Sequence, residues 1–436
     1  MLNGLARRNY MLLSGFVFFF FFAQAASISL LSIWLTQSIG LNGVQVGTVF
    51  SANFVAAMLS QPIYGYLSDR MGFRKVVPVA IAILVVMAGL FFSFVYAPLL
   101  RMNVIVGAIV GGAYIGVTFV AGSYAIETFI DRVSRRDGFE YSRARLWGSL
   151  GFASAALFSG RIYNVDPGIN FYLASAAGLL LLPLILGTRL PTGAAASPAQ
   201  NVGLRPRDSM SVLRQPKFWG FMLLILGVTN LYLVYDQQFP FYFSSMFPTR
   251  QEGNAMFGYL NSAQIFVEAG MMFVAPLIVR RTGAKRGLLI ASGIMIVRIA
   301  ASGLAIGPVT ISLCKMLHSL ELPILVVSIF RYIAYHFEAR FSSTIYMVGV
   351  SFGHSLGLAL LSPIVGALYD HIGFQPTYFV IAGFALCFWL ASIFVLSPTP
   401  PETATDSAPP GGDAELDYAI SPQEPAPAAI KPARAR

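Results

Sequence analysis

Eight side chains able to carry charge stand inside apolar stretches of this sequence: Glu127, Arg145, Asp236, Glu268, Arg298, Lys315, His318 and Glu321. Such a group in an oily interior costs at least a few kcal/mol, so each is a functional candidate. Glu127 and Arg145 are equidistant from a turn near Arg136, which puts them at similar depth on two antiparallel helices. A carboxylate and a guanidinium so placed can pair, or open to hydrogen-bond the hydroxyls of a polyol. Lys315, His318 and Glu321 recur in steps of three and share one helical face. Arg298 precedes the Gly307-Pro308 turn by about as much as Lys315 follows it, so it can approach that cluster. Asp236, followed by Gln237 and Gln238, offers a counter-charge, and Glu268 a further acid. With histidine neutral, acids outnumber bases in this set by one, so adding a single proton balances it. Burial favours the protonated carboxyl and a nearby arginine the ionised one, so movement of Arg298 could load and unload Glu321.

The elements that must carry these residues are membrane-spanning helices. Of 436 residues, 56% are hydrophobic and only 11% charged, where a soluble domain carries about 25% charged. Apolar runs of roughly 20 residues recur, enough to cross a hydrocarbon core of about 30 Å. Hydropathy and Gly/Pro punctuation place twelve helices, near 10–36, 44–67, 76–97, 103–130, 145–162, 169–188, 218–246, 254–279, 286–305, 308–334, 342–369 and 374–396. The expected organisation is an N-terminal six-helix half (1–188), a cytoplasmic linker rich in proline (189–217), a C-terminal six-helix half (218–396) and a disordered cytoplasmic tail (397–436). The first apolar run continues to Leu35 with no cleavage site, and reads as a retained helix. Most of the 29 basic residues fall on the side of the N-terminus and every second gap, against Arg101, Arg161 and Arg250 opposite, which predicts both termini in the cytoplasm.

The formal charge of +10 has no basic stripe or aromatic module behind it, so no nucleic-acid partner is expected. Cys314 and Cys387 lie in apolar segments, which argues against a disulfide framework or a metal site. No phosphate loop or nucleophile elbow supports ATP drive or an enzyme. Trp34, Tyr96 and Tyr163 read as interface anchors, and the run Phe18–Phe22 as lipid-facing or packing.

The halves echo each other. Asp69-Arg70-Met71-Gly72-Phe73-Arg74-Lys75 matches Arg280-Arg281-Thr282-Gly283-Ala284-Lys285-Arg286, and Phe139-Glu140 recurs as Phe337-Glu338. Such a duplication places a cavity at the midplane between halves. The segment from Gly65 through Asp69, Arg70, Gly72 and Arg74 resembles the loop motif of the major facilitator superfamily, in which Asp69 can pair with a basic neighbour in one conformation and release it in another.

A closer resemblance covers almost the whole chain to Leu396. Ser134-Arg135-Arg136, Arg143-Ala144-Arg145, Asp236-Gln237-Gln238, Lys315-Met316-Leu317-His318-Ser319-Leu320-Glu321-Leu322-Pro323 and Arg340-Phe341-Ser342-Ser343-Thr344-Ile345-Tyr346 resemble the oligosaccharide:proton symporters, the lactose and sucrose permease group. The resemblance implies an all-α membrane protein of twelve transmembrane helices in two pseudo-symmetric halves, the major facilitator fold. It implies import of a disaccharide with a proton by alternating access, in a bacterial cytoplasmic membrane, by a monomer that needs no cofactor beyond the coupling proton. It assigns Glu127 and Arg145 to sugar hydroxyls, His318 to bridging sugar and proton sites, Glu321 to the proton, Arg298 to its release, and Asp236 with Lys315 to a structural ion pair.

Departures bear on the substrate. The stacking platform of the lactose type is tryptophan, where this chain has Phe152, which keeps an apolar face but loses the indole N–H. The acid of the eighth helix sits one turn later, at Glu268, with Ile265 in the lactose-type position. Leu233 and His354 replace a second charge pair, and His354 stays able to contact substrate. These changes favour sucrose or a related sugar, although Gln61-Pro62 and Glu127 are lactose-like. Alternatives are a galactoside or raffinose-type sugar and, more remotely, a proton-coupled drug exporter or a sugar sensor that does not transport.

Overall fold

The computed structural model describes residues 4–190, 214–338 and 345–399, apart from the side chains of Asp69, Tyr346, Met347 and Val348. Most of the expected linker and nearly all of the expected tail lie outside the described residues. The described chain is helical, and twelve helices follow one another: α1 Gly4–Ile39, α2 Gly43–Met71, α3 (Val76–Val86 continuing through Ala88–Met102), α4 Val104–Asp137, α5 Tyr141–Val165 and α6 Pro167–Gly187. Then come α7 Pro216–Ser245, α8 Arg250–Thr282, α9 Ala284–Gly303, α10 Pro308–His336, α11 (Ile345–Ser351 continuing through Phe352–Ile372) and α12 Phe374–Val395.

Ten of these are long and apolar enough to span a bilayer, and α3, bent by 45° at Met87, makes an eleventh. The remaining helix, α5, is 25 residues long and less apolar, carrying Arg143, Arg145 and Arg161, and it packs against α1 and α8. Several helices run past their expected ends: α8 extends to both 250 and 282 because Thr249 caps it, accepting from the Glu252 N–H, and Gly283 stops it. Elsewhere the starts are written in the local sequence. Asn42 and Gln45 form a capping box on α2, Asn103 caps α4, and Asp166 followed by Pro167 starts α6.

The aromatic residues read as interface anchors belong to the interior instead. Trp34, Tyr96 and Tyr163 are all buried. Trp34 packs against Phe92, Tyr96 and Phe171, and Tyr163 meets Ser38 Oγ at 2.7 Å. A ring near a helix end looks alike in sequence whether it faces headgroups or a neighbouring helix.

Helices α1 to α6 pack chiefly among themselves, through α1 with α5 and α6, α2 with α4, and α3 with α6. Helices α7 to α12 do the same, through α9 with α10 and α12, and α8 with α10. The echo between the halves extends to tertiary structure. Gly72 ends α2 with φ +55° and Gly283 ends α8 with φ +83°. Shortly beyond each, a lysine turns back onto a helix end: Lys75 Nζ donates to the carbonyls of Leu186 (2.9 Å) and Thr188 (2.5 Å), and Lys285 Nζ to those of Ile393 and Leu396 (both 2.7 Å). Each ammonium satisfies orphan carbonyls at a negative helix terminus.

The two groups meet through α2 with α11 and α5 with α8. The hydrogen bonds that join them gather toward the end of the bundle where α1 stops. Asp370 Oδ1 and Oδ2 accept the backbone N–H groups of Gly43 (2.6 Å) and Val44 (2.8 Å), closing the N-terminus of α2 with a carboxylate. Gln238 Nε2 donates to the Gly43 carbonyl at 3.0 Å, Ser51 Oγ to that of Ala359 at 2.5 Å, and Asn254 bonds both Gln37 and Asn164. At Gly366 a side chain would run into the Gly43 carbonyl oxygen, so the close approach of α2 and α11 requires glycine there.

Candidate sugar and proton site

In the first helix group the site is an ion pair. Arg145 Nε on α5 donates to Glu127 Oε1 on α4 at 2.6 Å. Both side chains keep partial exposure, 33% and 28%, so the pair faces open space as well as each other. The Arg145 guanidinium also lies over the Phe21 ring of α1, 4.1 Å from its centroid, a cation–π contact. Phe21 is buried, which decides between the two readings of that part of the Phe18–Phe22 run in favour of packing. Phe152 lies on the same helix, two turns beyond Arg145, and is half-buried.

In the second group a cluster forms around Arg298 of α9, whose side chain has no exposure at all. Its Nη2 donates to Asp236 Oδ2 of α7 at 3.0 Å, and its Nε lies 2.9 Å from Glu321 Oε1 of α10. His318 Nδ1 sits 3.2 Å from the same Glu321 oxygen and 3.5 Å from Asp236 Oδ2, and is also bonded to the Tyr232 hydroxyl. Three rings surround the guanidinium: its Cζ is 4.8 Å from the centroids of Tyr232 and Tyr235 and 5.9 Å from that of Phe239.

Glu321 is the unusual member. It is fully buried between an arginine and a histidine, with Oε1 2.9 Å from Arg298 Nε and 3.2 Å from His318 Nδ1.

The expected Asp236–Lys315 ion pair is not formed in this structure. Arg298 takes the Asp236 carboxylate, and the buried Lys315 instead directs Nζ toward the Phe257 and Phe239 rings, 5.2 and 6.0 Å from their centroids. Helical spacing sets the face on which Lys315 lies but not how α7 and α9 rotate about their own axes, and that rotation gives Asp236 to the arginine.

Glu268 of α8 lies between the two groups, accepting from Gln264 Nε2 at 3.4 Å and within electrostatic reach of His318, Lys315 and Arg145. His354 of α11 stands apart from the cluster, with Nε2 at 2.7 Å from the Thr229 hydroxyl of α7. The loop motif is a separate feature. Arg132 of α4 donates to the carbonyls of Ser68 (2.5 Å) and Gly72 (3.2 Å), and Arg70 to the Tyr66 hydroxyl (3.3 Å), while the space around Gly65 is open. Arg74 is exposed, and the Asp69 side chain lies outside those described.

Sequence reasoning missed Phe21, Tyr232 and Tyr235. Tyr232 carries a readable signal, since it stands four residues before Asp236 and therefore on the same face of α7. Phe21 has none: five consecutive phenylalanines show every face of a helix alike.

The sequence matches the LacY proton/sugar symporter family over residues 3–408. The chain belongs to that family. The symporter is 41% identical to raffinose permease of Escherichia coli over 390 residues, spanning 88% of this chain and 92% of that protein. It is 40% identical to melibiose permease of Enterobacter cloacae (89% and 93% covered) and 36% identical to sucrose permease of Escherichia coli (89% and 94%). Among solved structures, the nucleoside transporter NupG superposes with a TM-score of 0.74 at 14% identity, over 89% of this chain and 98% of that one. That likeness shows the fold alone, the twelve-helix major facilitator architecture. The protein is thus a multi-pass membrane symporter coupling a disaccharide to protons, and a carrier in place of an enzyme.

Proposed function

We propose that this symporter imports its sugar with one proton per molecule, and that Glu321 carries the proton. The observation that carries this reading is the fully buried Glu321 carboxylate, held between Arg298 and His318. Arg145 and Glu127 bind sugar hydroxyls from the first half, Phe152 offers its ring as a platform, and Glu268 and His318 approach from the second. Sugar that draws on His318 perturbs the contacts of Glu321, which links occupancy to protonation. His354, tied to Thr229, stands on the cytoplasmic side of the site, and Asp236 with Lys315 supports the cluster without carrying the proton.

With both termini in the cytoplasm of a bacterial inner membrane, the end closed by Asp370 faces outward, which supports an inward-facing state, and the carrier acts as a monomer. Six-helix halves at 1–188 and 218–396, joined by 189–217, then rock around the site. The conformational loop motif of Gly65, Asp69, Arg70, Gly72 and Arg74 steadies the cytoplasmic end. Each proton supplies about 2.3 kcal/mol per 100 mV of membrane potential and about 1.4 kcal/mol per pH unit, enough for substantial accumulation.

For the substrate, the named relatives favour a common set: raffinose contains both the sucrose and the melibiose skeleton. The position of Glu268 and the neutral residues Leu233 and His354 support its sucrose side over lactose. The test is uptake into reconstituted vesicles of sucrose, raffinose, melibiose, lactose and maltose, with external pH recorded. Accumulation of sucrose or raffinose with external alkalinisation is expected. Sugar movement with no pH change overturns the coupling, and uptake confined to melibiose or lactose overturns the sucrose reading.

A further inference from the structure

Outside the sugar site, α9 presents a second cavity, on the outer surface of the bundle. A groove of about 550 Å³ runs along it between α10 and α12, lined almost entirely by apolar atoms. Its α9 wall follows one helical face, from Arg286 through Ile290 and Gly293 to Val297. Leu317 of α10 and Trp389 of α12 form the flanks. Gly293 leaves the middle open, since a side chain there would meet nothing nearer than Trp389 at 3.8 Å. The Trp389 indole N–H is spent inside the protein, donating to the Leu289 carbonyl at 2.9 Å, so the ring is fixed as a wall and is not free to bond a headgroup.

Two dimensions decide the occupant. The helix rises about 16 Å from Arg286 to Val297, close to one leaflet of a hydrocarbon core of about 30 Å. The groove therefore fits an acyl chain entering from the bilayer surface and ending near the midplane. At its surface end stands exposed Arg286, the last residue of the basic run Arg280-Arg281-Thr282-Gly283-Ala284-Lys285-Arg286. Lys285 is committed to the carbonyls of Ile393 and Leu396, which leaves Arg286 as the cation at the mouth. A guanidinium matches a phosphate geometrically as well as by charge.

We propose that this groove is a binding site for an anionic phospholipid of the phosphatidylglycerol type, with the acyl chain along α9 and the phosphate at Arg286. The site is independent of the sugar and proton residues. The test uses a protein in which Trp34, Trp147 and Trp219 are replaced by phenylalanine, leaving Trp389 as the reporter, reconstituted in phosphatidylcholine. Phosphatidylglycerol or phosphatidylcholine brominated midway along one acyl chain is then titrated in as a quencher. Brominated phosphatidylglycerol is expected to quench Trp389 at roughly fivefold lower mole fraction, the factor that one cation near an anionic lipid supplies. Arg286→Gln brings the two lipids to within about twofold of each other while quenching persists, and Gly293→Leu, which fills the groove, weakens quenching by both. Equal quenching by the two headgroups in the parent protein overturns the proposal, as does an undiminished preference in Arg286→Gln.

Discussion

Arg298 Nε lies 2.9 Å from Glu321 Oε1 with both side chains sealed from solvent. Ion pairs this deep are seldom a net source of stability, because desolvating two charges costs about what their attraction returns. Their retention points to a role in which the pair changes. Substituting Glu321→Gln keeps the shape and removes the titration. Accumulation against a gradient should vanish, while exchange of labelled for unlabelled sugar across a vesicle membrane continues. Loss of exchange as well would show that the residue does more than carry a proton.

Arg298 compensates two carboxylates at once, Asp236 and Glu321. Arg298→Gln should therefore lower stability by about 3–5 kcal/mol, the cost of stranding a buried charge. The additional substitution Asp236→Asn should return part of it, because one of the two orphaned charges is then gone. Thermal unfolding in detergent of the single and double variants checks this; additive losses would mean that the two residues do not share an electrostatic interaction.

The clustering of Lys315, His318 and Glu321 was legible in the sequence, since steps of three fix a shared face and the neighbouring turn fixes depth. The partner of Asp236 was not. A lysine and an arginine at similar depth compete for it, and the outcome depends on how α7, α9 and α10 are rotated, which periodicity leaves open. The duplicated Gly72 and Gly283 turns were readable as a repeat, but the lysines that follow them reach partners more than 100 residues away. The helix α5 was legible from hydropathy and Gly/Pro punctuation, although its arginines weaken its hydropathy. Trp34, Tyr96 and Tyr163 misled because the same ring chemistry serves the headgroup zone and the core.

Arg145 makes two different contacts, a 2.6 Å bond to Glu127 and a stack on Phe21. Lysine can reproduce the charge but neither the planar stack nor the fork geometry. Arg145→Lys should weaken sugar binding on the order of tenfold or more, measured by calorimetry on purified protein. Tolerance of lysine, combined with inhibition by hydrophobic cations, would favour drug export over sugar import.

Phe152 stands two turns beyond Arg145 on α5 and is half-buried. If its ring stacks on sugar, Phe152→Ala should cost about 1–3 kcal/mol of binding by analogy with other ring-on-ring platforms, while Phe152→Trp keeps or improves affinity. Unchanged affinity in the alanine variant would relegate the ring to packing.

The Asp370 carboxylate caps α2 across the boundary between helix groups. Because Asp370 is exposed, Asp370→Ala should weaken this closed end by about 1 kcal/mol. In a protein with Cys314 and Cys387 replaced by serine, a cysteine at Ser51 should then react several-fold faster with a membrane-impermeant thiol reagent added outside. An unchanged rate would show that other contacts alone keep the closed end shut.

Lys75 and Lys285 each fasten the start of one outer helix to the finish of another within the same half. Stitched at matching corners, each bundle resists internal shear, so any reorientation must be taken up along the seam where α2 faces α11 and α5 faces α8. If the halves rock as proposed, transport is the swing of two stiff plates about a narrow hinge line, and cutting either stitch would let a plate flex and spill the coupling between cargo and ion.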